Sequence, residues 1–160
     1  MKVRGGIVLA KAASVRPELG HRIPTFWPIT RTTAYVANGN LGDMFFLRDA
    51  IADRKPRSPA AIARVIRNTL HDHAVRRDVR PLALQVLLGS VGEGRSSIAG
   101  FDVTGAQWEC EAWALGHQSA RARDRLIKAW SPSLIASGAE SLVRRIYAST
   151  PHETFVLLAT

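Results

Sequence analysis

The sequence predicts an α+β protein in which two sheets carry helix pairs packed on their outer sides. Strand-like runs fall into two groups, within residues 7–37 and 82–115, and a pair of helical patterns follows each group. One more strand-like run closes the chain, giving the order βββ, αα, βββ, αα, β. The chain has 160 residues, enough for a sizeable core, and no repeat, low-complexity tract or linker divides it. Residues 1–160 are therefore expected to form one domain.

Gly5-Gly6 followed by Ile7-Val8-Leu9-Ala10 reads as a turn entering a buried strand. The run behind Met1-Lys2-Val3-Arg4 is too short for a signal peptide, and Lys11 interrupts it. Pro17, Gly20 and Pro24 mark residues 14–24 as a loop or short irregular strands. Phe26-Trp27-Pro28-Ile29 and then Thr32 to Ala37 give two more strand segments. At Asn38-Gly39-Asn40-Leu41-Gly42-Asp43 the apolar run stops and a helical pattern takes over, from about Leu41 to Asp53. Asn40 suits the N-cap, and Asp43 suits the positive end of the helix dipole. A glycine between a strand and a helix either turns the corner or presents backbone N–H groups to an anion.

Ser58-Pro59 pairs a capping hydroxyl with proline at the first helical position. Ala61, Ile62, Val65, Ile66, Thr69, Leu70 and His73 share one face of the helix that follows, which is expected to reach about Arg77 before Pro81. Leu82 to Leu88 is almost uninterruptedly apolar, as in a strand covered on both faces. Gly92-Glu93-Gly94 signals a hairpin, Ser96 to Val103 the returning strand, and Trp108 to Leu115 a third strand after the Thr104-Gly105 turn. Gly116-His117-Gln118-Ser119 opens a helix carrying Ala122, Leu126, Ile127, Ala129 and Trp130, closed by Ser131-Pro132. Ser137 and Glu140 have the spacing of a capping box for a helix using Leu142, Val143, Ile146 and Tyr147. Thr154 to Leu158 is the last strand.

The net charge of +9 belongs to the first half: residues 1–80 hold 15 Lys/Arg against 6 Asp/Glu, and residues 81–160 hold 7 against 7. Such a field favours acidic partners, nucleic acid among them, although a solvated helix face is the commoner cause. Arg64, Arg67, Arg76 and Arg77 form the candidate basic contact surface. No apolar run is long enough to cross a membrane, so no membrane partner is expected. The lone Cys110 cannot form an internal disulfide, which favours a reducing compartment, cytoplasmic or nuclear.

Several fragments, in their order and spacing, resemble a known family over nearly the whole chain. They are Gly6-Ile7-Val8-Leu9-Ala10, then Phe26-Trp27-Pro28-Ile29 followed ten residues later by Gly39-x-x-Gly42-Asp43, then Ser58-Pro59-Ala60-Ala61. Leu87-Leu88-Gly89, Phe101-Asp102-Val103-Thr104-Gly105 and Ala114-Leu115-Gly116 continue the pattern. Together they resemble the β-type subunits of the proteasome, members of the N-terminal-nucleophile hydrolase family. The second half looks closest to the non-catalytic β subunits, and the long N-terminal helix of α-type subunits has no counterpart. The resemblance implies a four-layer αββα sandwich with two mainly antiparallel sheets flanked by helix pairs. It also implies other proteasome-like subunits as partners, in a ring or hetero-oligomer.

The family's chemistry uses an N-terminal threonine whose own α-amine is the base, helped by a lysine and an aspartate, with a glycine N–H for the oxyanion. Carried over by resemblance, the oxyanion glycine falls on Gly39. The lysine position falls on Thr25 and the aspartate position near Ala12, so neither is matched; Lys11 or Arg22 takes the lysine's place only if the register slips. The nucleophile position lies a few residues before Met1. The expectation is a non-catalytic structural subunit without catalytic residues, cofactor or metal. The alternatives are an active threonine-type peptidase subunit after processing, and the same fold recruited into a ribonucleoprotein particle.

Other motifs carry less. His71 and His73 are two apart on a helix and point to different faces, a poor arrangement for sharing a metal ion. Gly89 to Arg95 looks like a phosphate loop but leads into a β-pattern rather than a helix. Cys110 lies between Glu109 and Glu111, whose charges oppose a thiolate. Trp27, Trp108, Trp113 and Trp130 read as core, with one of Trp108 and Trp113 free to face outward. Arg121, Arg123 and Arg125 around Asp124 read as a solvated or interface face, with nucleic acid second.

Overall fold

The computed structural model describes residues 1–12, 26–92, 95–116, 119–146 and 152–158. Along these the chain runs β1 (Lys2–Val3), β2 (Gly6–Ala12), β3 (Trp27–Thr30), β4 (Thr33–Gly39), α1 (Leu41–Arg54) and α2 (Pro59–Val75). It continues with β5 (Leu84–Gly92), β6 (Arg95–Phe101), β7 (Gln107–Cys110), α3 (Ser119–Ala129), α4 (Ala136–Ile146) and β8 (His152–Leu158). The fold is mixed α+β, with two antiparallel sheets ordered β1-β2-β8 and β3-β4-β5-β6-β7. The small sheet pairs the beginning of the chain with its end, in register from Gly6↔Leu158 to Ala12↔His152. The large sheet is a meander interrupted between β4 and β5 by α1 and α2.

Local chemistry explains most of the element boundaries. Asn40 caps α1, its side chain accepting from the Asp43 N–H, and Ser58 caps α2 by accepting from the Ala61 N–H with Pro59 at the first helical position. β5 is buried from Leu84 to Val91 except at Gln85, as its apolar run demands. Leu84, Val86 and Leu88 join Trp27, Tyr35, Leu47, Ile66, Leu70 and Phe101 in the core beneath α1 and α2. Leu87 and Val91, from the opposite face of β5, meet Ile7, Leu9 and Leu157 of the small sheet. A third cluster joins Val8, Ala112 and Ala114 to Leu126 of α3 and to Ala139 and Leu142 of α4.

Among the boundaries that differ from those the sequence predicts, four have a visible reason. The strand expected from Trp108 to Leu115 stops at Cys110, because the Lys2 N–H then takes the Glu111 carbonyl at 2.7 Å and Ala112 and Ala114 turn into the third cluster. β6 stops at Phe101 because the Asp102 carboxylate gathers the N–H groups of Thr104 and Ala106, at 2.8 and 3.0 Å, into a turn. α2 ends at Val75, where Arg76 turns extended. The capping box is not formed: α4 begins at Ala136, the Ala139 N–H bonds the Ile135 carbonyl, and Ser137 sits inside the helix. The hairpin tip at Glu93-Gly94 lies outside the described residues, but Gly92↔Arg95 pairing sets its two-residue length.

Candidate functional site

The corner between β4 and α1 is built by a close approach of two backbones. Gly39 has φ +138°, a region that side chains with a Cβ rarely adopt. A Cβ at Gly39 would lie 1.8 Å from the Ala83 carbonyl oxygen, so only glycine fits. That same oxygen accepts the Asn40 N–H at 2.9 Å. Because N–H directions alternate along an antiparallel strand, Asn40 faces β5 and Gly39 turns its own N–H away from it. The corner is thus fixed by backbone contacts between the end of β4 and the entry to β5.

Asp43 locks the corner. It is 3 % exposed, and its carboxylate accepts a bidentate pair from the Arg80 guanidinium together with the Ala83 N–H at 2.8 Å. The Arg80 hydrogen bond, opposed by burial and reinforced by the Ala83 N–H, holds the Asp43 carboxyl below its ordinary value. Sequence reasoning placed Asp43 correctly in the first helical turn but missed Arg80 as its partner. Arg80 lies in the irregular segment between α2 and β5, which leaves no periodic signal.

The residues expected around this corner are brought together only in part. Thr25 and Arg22 lie outside the described residues. Ala12 ends β2, its backbone in register with His152. Lys11, one residue earlier, extends its ammonium to within 4.0 Å of Met44 Sδ in the first turn of α1, and burial lowers its pKa. The small sheet thus delivers a lysine to the helix that the glycine corner opens.

The basic surface is divided by pairing. Arg76 is engaged by Asp78 in a bidentate pair and Arg80 by Asp43. Arg64, Arg67 and Arg77 are exposed and have no carboxylate partner among the described residues. His71 is exposed, whereas His73 is half-buried, donates from Nδ1 to the Thr69 carbonyl at 3.0 Å and sets its ring edge against Phe46. Cys110 is half-buried, and burial more than its glutamate neighbours pushes the thiol up to about 11. Trp108 and Trp113 pack on each other with centroids 5.3 Å apart and planes tilted by 54°, both half-buried rather than one facing outward, and Arg123 covers Trp113 at 4.4 Å. Arg123, expected on a solvated or interface face, is half-buried.

A family model described as proteasome subunit matches residues 1–154. The chain belongs to the proteasome subunit family. The match takes in every element from β1 to α4 and the first residues of β8. No curated protein matches the sequence. The two antiparallel sheets and four helices are consistent with the proteasome fold, and members of the proteasome family assemble into rings with other subunits. Among the described residues, no helix is long and apolar enough to cross a membrane.

Proposed function

We propose that this chain is a non-catalytic, β-type-like subunit of a proteasome-like ring or larger hetero-oligomer, and that its work is structural. In this reading residues 1–160 form one domain, a four-layer αββα sandwich working in the cytoplasm or nucleus. The observation that carries it is the content of the catalytic positions. By the resemblance, Thr25 and Ala12 fall on the family's lysine and aspartate positions, and neither side chain can carry the charge those roles need. The Gly39 corner is kept as backbone architecture, held by Ala83 and by the Asp43–Arg80 pair. Exposed Ile127 and Ile135, near the third cluster, supply apolar surface for a neighbouring subunit.

Lys11 favours a second reading, an active hydrolase of the same fold. Its ammonium lies against the first turn of α1, and a lowered pKa suits a group that assists a nucleophile. Two measurements separate the readings. Native mass spectrometry of the chain with its co-purifying partners is expected to show a closed multi-subunit species; a stable monomer without partners overturns the structural role. Treatment with a threonine-directed covalent inhibitor is expected to leave the chain unmodified, and stoichiometric labelling would establish the hydrolase.

A further inference from the structure

The outer face of α2 carries charge that its surroundings leave unbalanced. Arg64, Asn68, His71 and Val75 recur at helical spacing on the side opposite Ile62, Ile66, Thr69 and Leu70, and Arg67 borders that row. All five are exposed. Asp72, on the flank of the row, is the single carboxylate of the helix. Other carboxylates near α2 are already engaged: Asp78 by Arg76, Asp43 by Arg80, and Asp102 by the N–H groups of Thr104 and Ala106. Arg64, Arg67 and, just past the helix end, Arg77 are left without a carboxylate partner among the described residues.

The row is held rigid from two sides. Ile62, Ile66 and Leu70 beneath it are completely enclosed. The β6–β7 turn abuts it so closely that a Cβ on Gly105 would lie 2.6 Å from the Arg67 carbonyl oxygen. From Arg64 through Arg67 to His71 the helix rises roughly 10 Å, which sets the three side chains at intervals of about 5 Å. A chain of phosphates is bound by such a row without any pocket, because each exposed cation that meets a phosphate releases counterions. The row's composition also narrows the partner. A protein neighbour needs apolar or aromatic anchors at the centre of the contact, and Val75, at one end, is the row's one apolar residue. Unpaired bases need rings to stack on, and none lies on the row; exposed Phe46, on α1, is set against the His73 ring.

We propose that the outer face of α2 binds the phosphate backbone of double-stranded nucleic acid without reading its sequence. Arg64, Arg67 and Arg77 meet phosphates, and Asn68 and His71 donate hydrogen bonds to the same backbone. The face is separate from the Gly39 corner and does not depend on whether the subunit is catalytic.

The test is fluorescence anisotropy of a labelled DNA duplex of about 20 base pairs, titrated with the full chain from about 50 to about 200 mM salt. Saturable binding is expected, with a log–log salt slope of about −3 for three phosphate contacts, and an unrelated duplex sequence is expected to bind within about twofold. Arg64→Glu/Arg67→Glu is expected to weaken binding at least about tenfold and to flatten the slope to about −1. Arg121→Glu/Arg125→Glu makes the same change of charge at exposed positions on α3 and is expected to cost less than about threefold. Absence of saturable binding at about 50 mM salt overturns the proposal, as does an equal loss in the two double variants, which would mean diffuse attraction to the whole chain. Competition by polyglutamate as effective, charge for charge, as by unlabelled duplex also overturns it, and assigns the face to an acidic protein. Should the double charge reversal fail to fold, Arg64→Gln/Arg67→Gln decides in its place, with a loss of about fivefold expected and no loss overturning the proposal.

Discussion

Against the large sheet, α1 and α2 bury Met44, Leu47, Ile51, Ile62, Val65, Ile66 and Leu70 over a floor of Tyr35, Leu84, Val86 and Phe101. Against the small sheet, α3 buries Leu126 among the described residues, and α4 buries Ala139, Leu142 and Val143. The first interface is made of large side chains, several completely enclosed. The second draws on fewer buried helix residues and leaves Ile127 and Ile135 about half exposed. Each pair also has two large apolar side chains about half exposed, Phe46 and Val75 on the first and Ile127 and Ile135 on or beside the second, so the pairs differ in what they bury rather than in what they expose.

The largest test of that contrast lies in the cores themselves. Leu70→Ala, at a fully enclosed position, is expected to cost about 4 kcal/mol in urea denaturation, and Leu126→Ala about 2. Equal costs would remove the distinction. Gly39→Ala is expected to cost about 3 kcal/mol, since its Cβ must displace the Ala83 backbone at the entry to β5.

Asp43→Asn is expected to cost about 1.5 kcal/mol at neutral pH, a value held down by the solvent exposure of Arg80. The carboxyl pKa is lower in the folded protein than its ordinary 3.8, so the stabilisation is complete above that value and is lost as pH falls below it. Stability measured from pH 6 downward is therefore expected to drop for the parent chain below about pH 4 and to drop less steeply for Asp43→Asn. The smallest effect on stability is expected at Ile127→Ser, within about 0.5 kcal/mol. Sedimentation of the complex with its partners is expected to show that this same variant loosens assembly. Unchanged assembly in Ile127→Ser would remove Ile127 from the proposed subunit interface.

What the sequence revealed tracks how local each cause is. Ser58-Pro59 and Asn40 announce their helices because a cap and its acceptor donor lie three residues apart. The buried face of α2 is periodic and emerges where expected, and the uninterrupted apolar run from Leu82 emerges as β5, which begins at Leu84 and continues to Gly92. The failures involve partners distant in sequence. Glu111 leaves the predicted strand to bond Lys2, 109 residues away, and nothing near Cys110 announces it. The Ser137 motif had the right spacing, but the helix starts two residues earlier in its hydrogen bonding, at Ile135. In the candidate site, Gly39, Asn40 and Asp43 were legible as a corner. Arg80, the residue that locks it, read only as one more charge in a basic stretch.

The Asp43–Arg80 bond spans 37 positions and encloses the whole helical hairpin. Closing a loop of that size costs entropy that a single ion pair cannot recover, so the bond forms after α1 and α2 have docked. It then acts as a latch fastened late. Its removal is a matter of escape rather than arrival: Asp43→Asn is expected to raise the unfolding rate and leave the folding rate nearly unchanged, as stopped-flow unfolding would show. The corner between β4 and α1 would then bear on how long the folded chain persists once made.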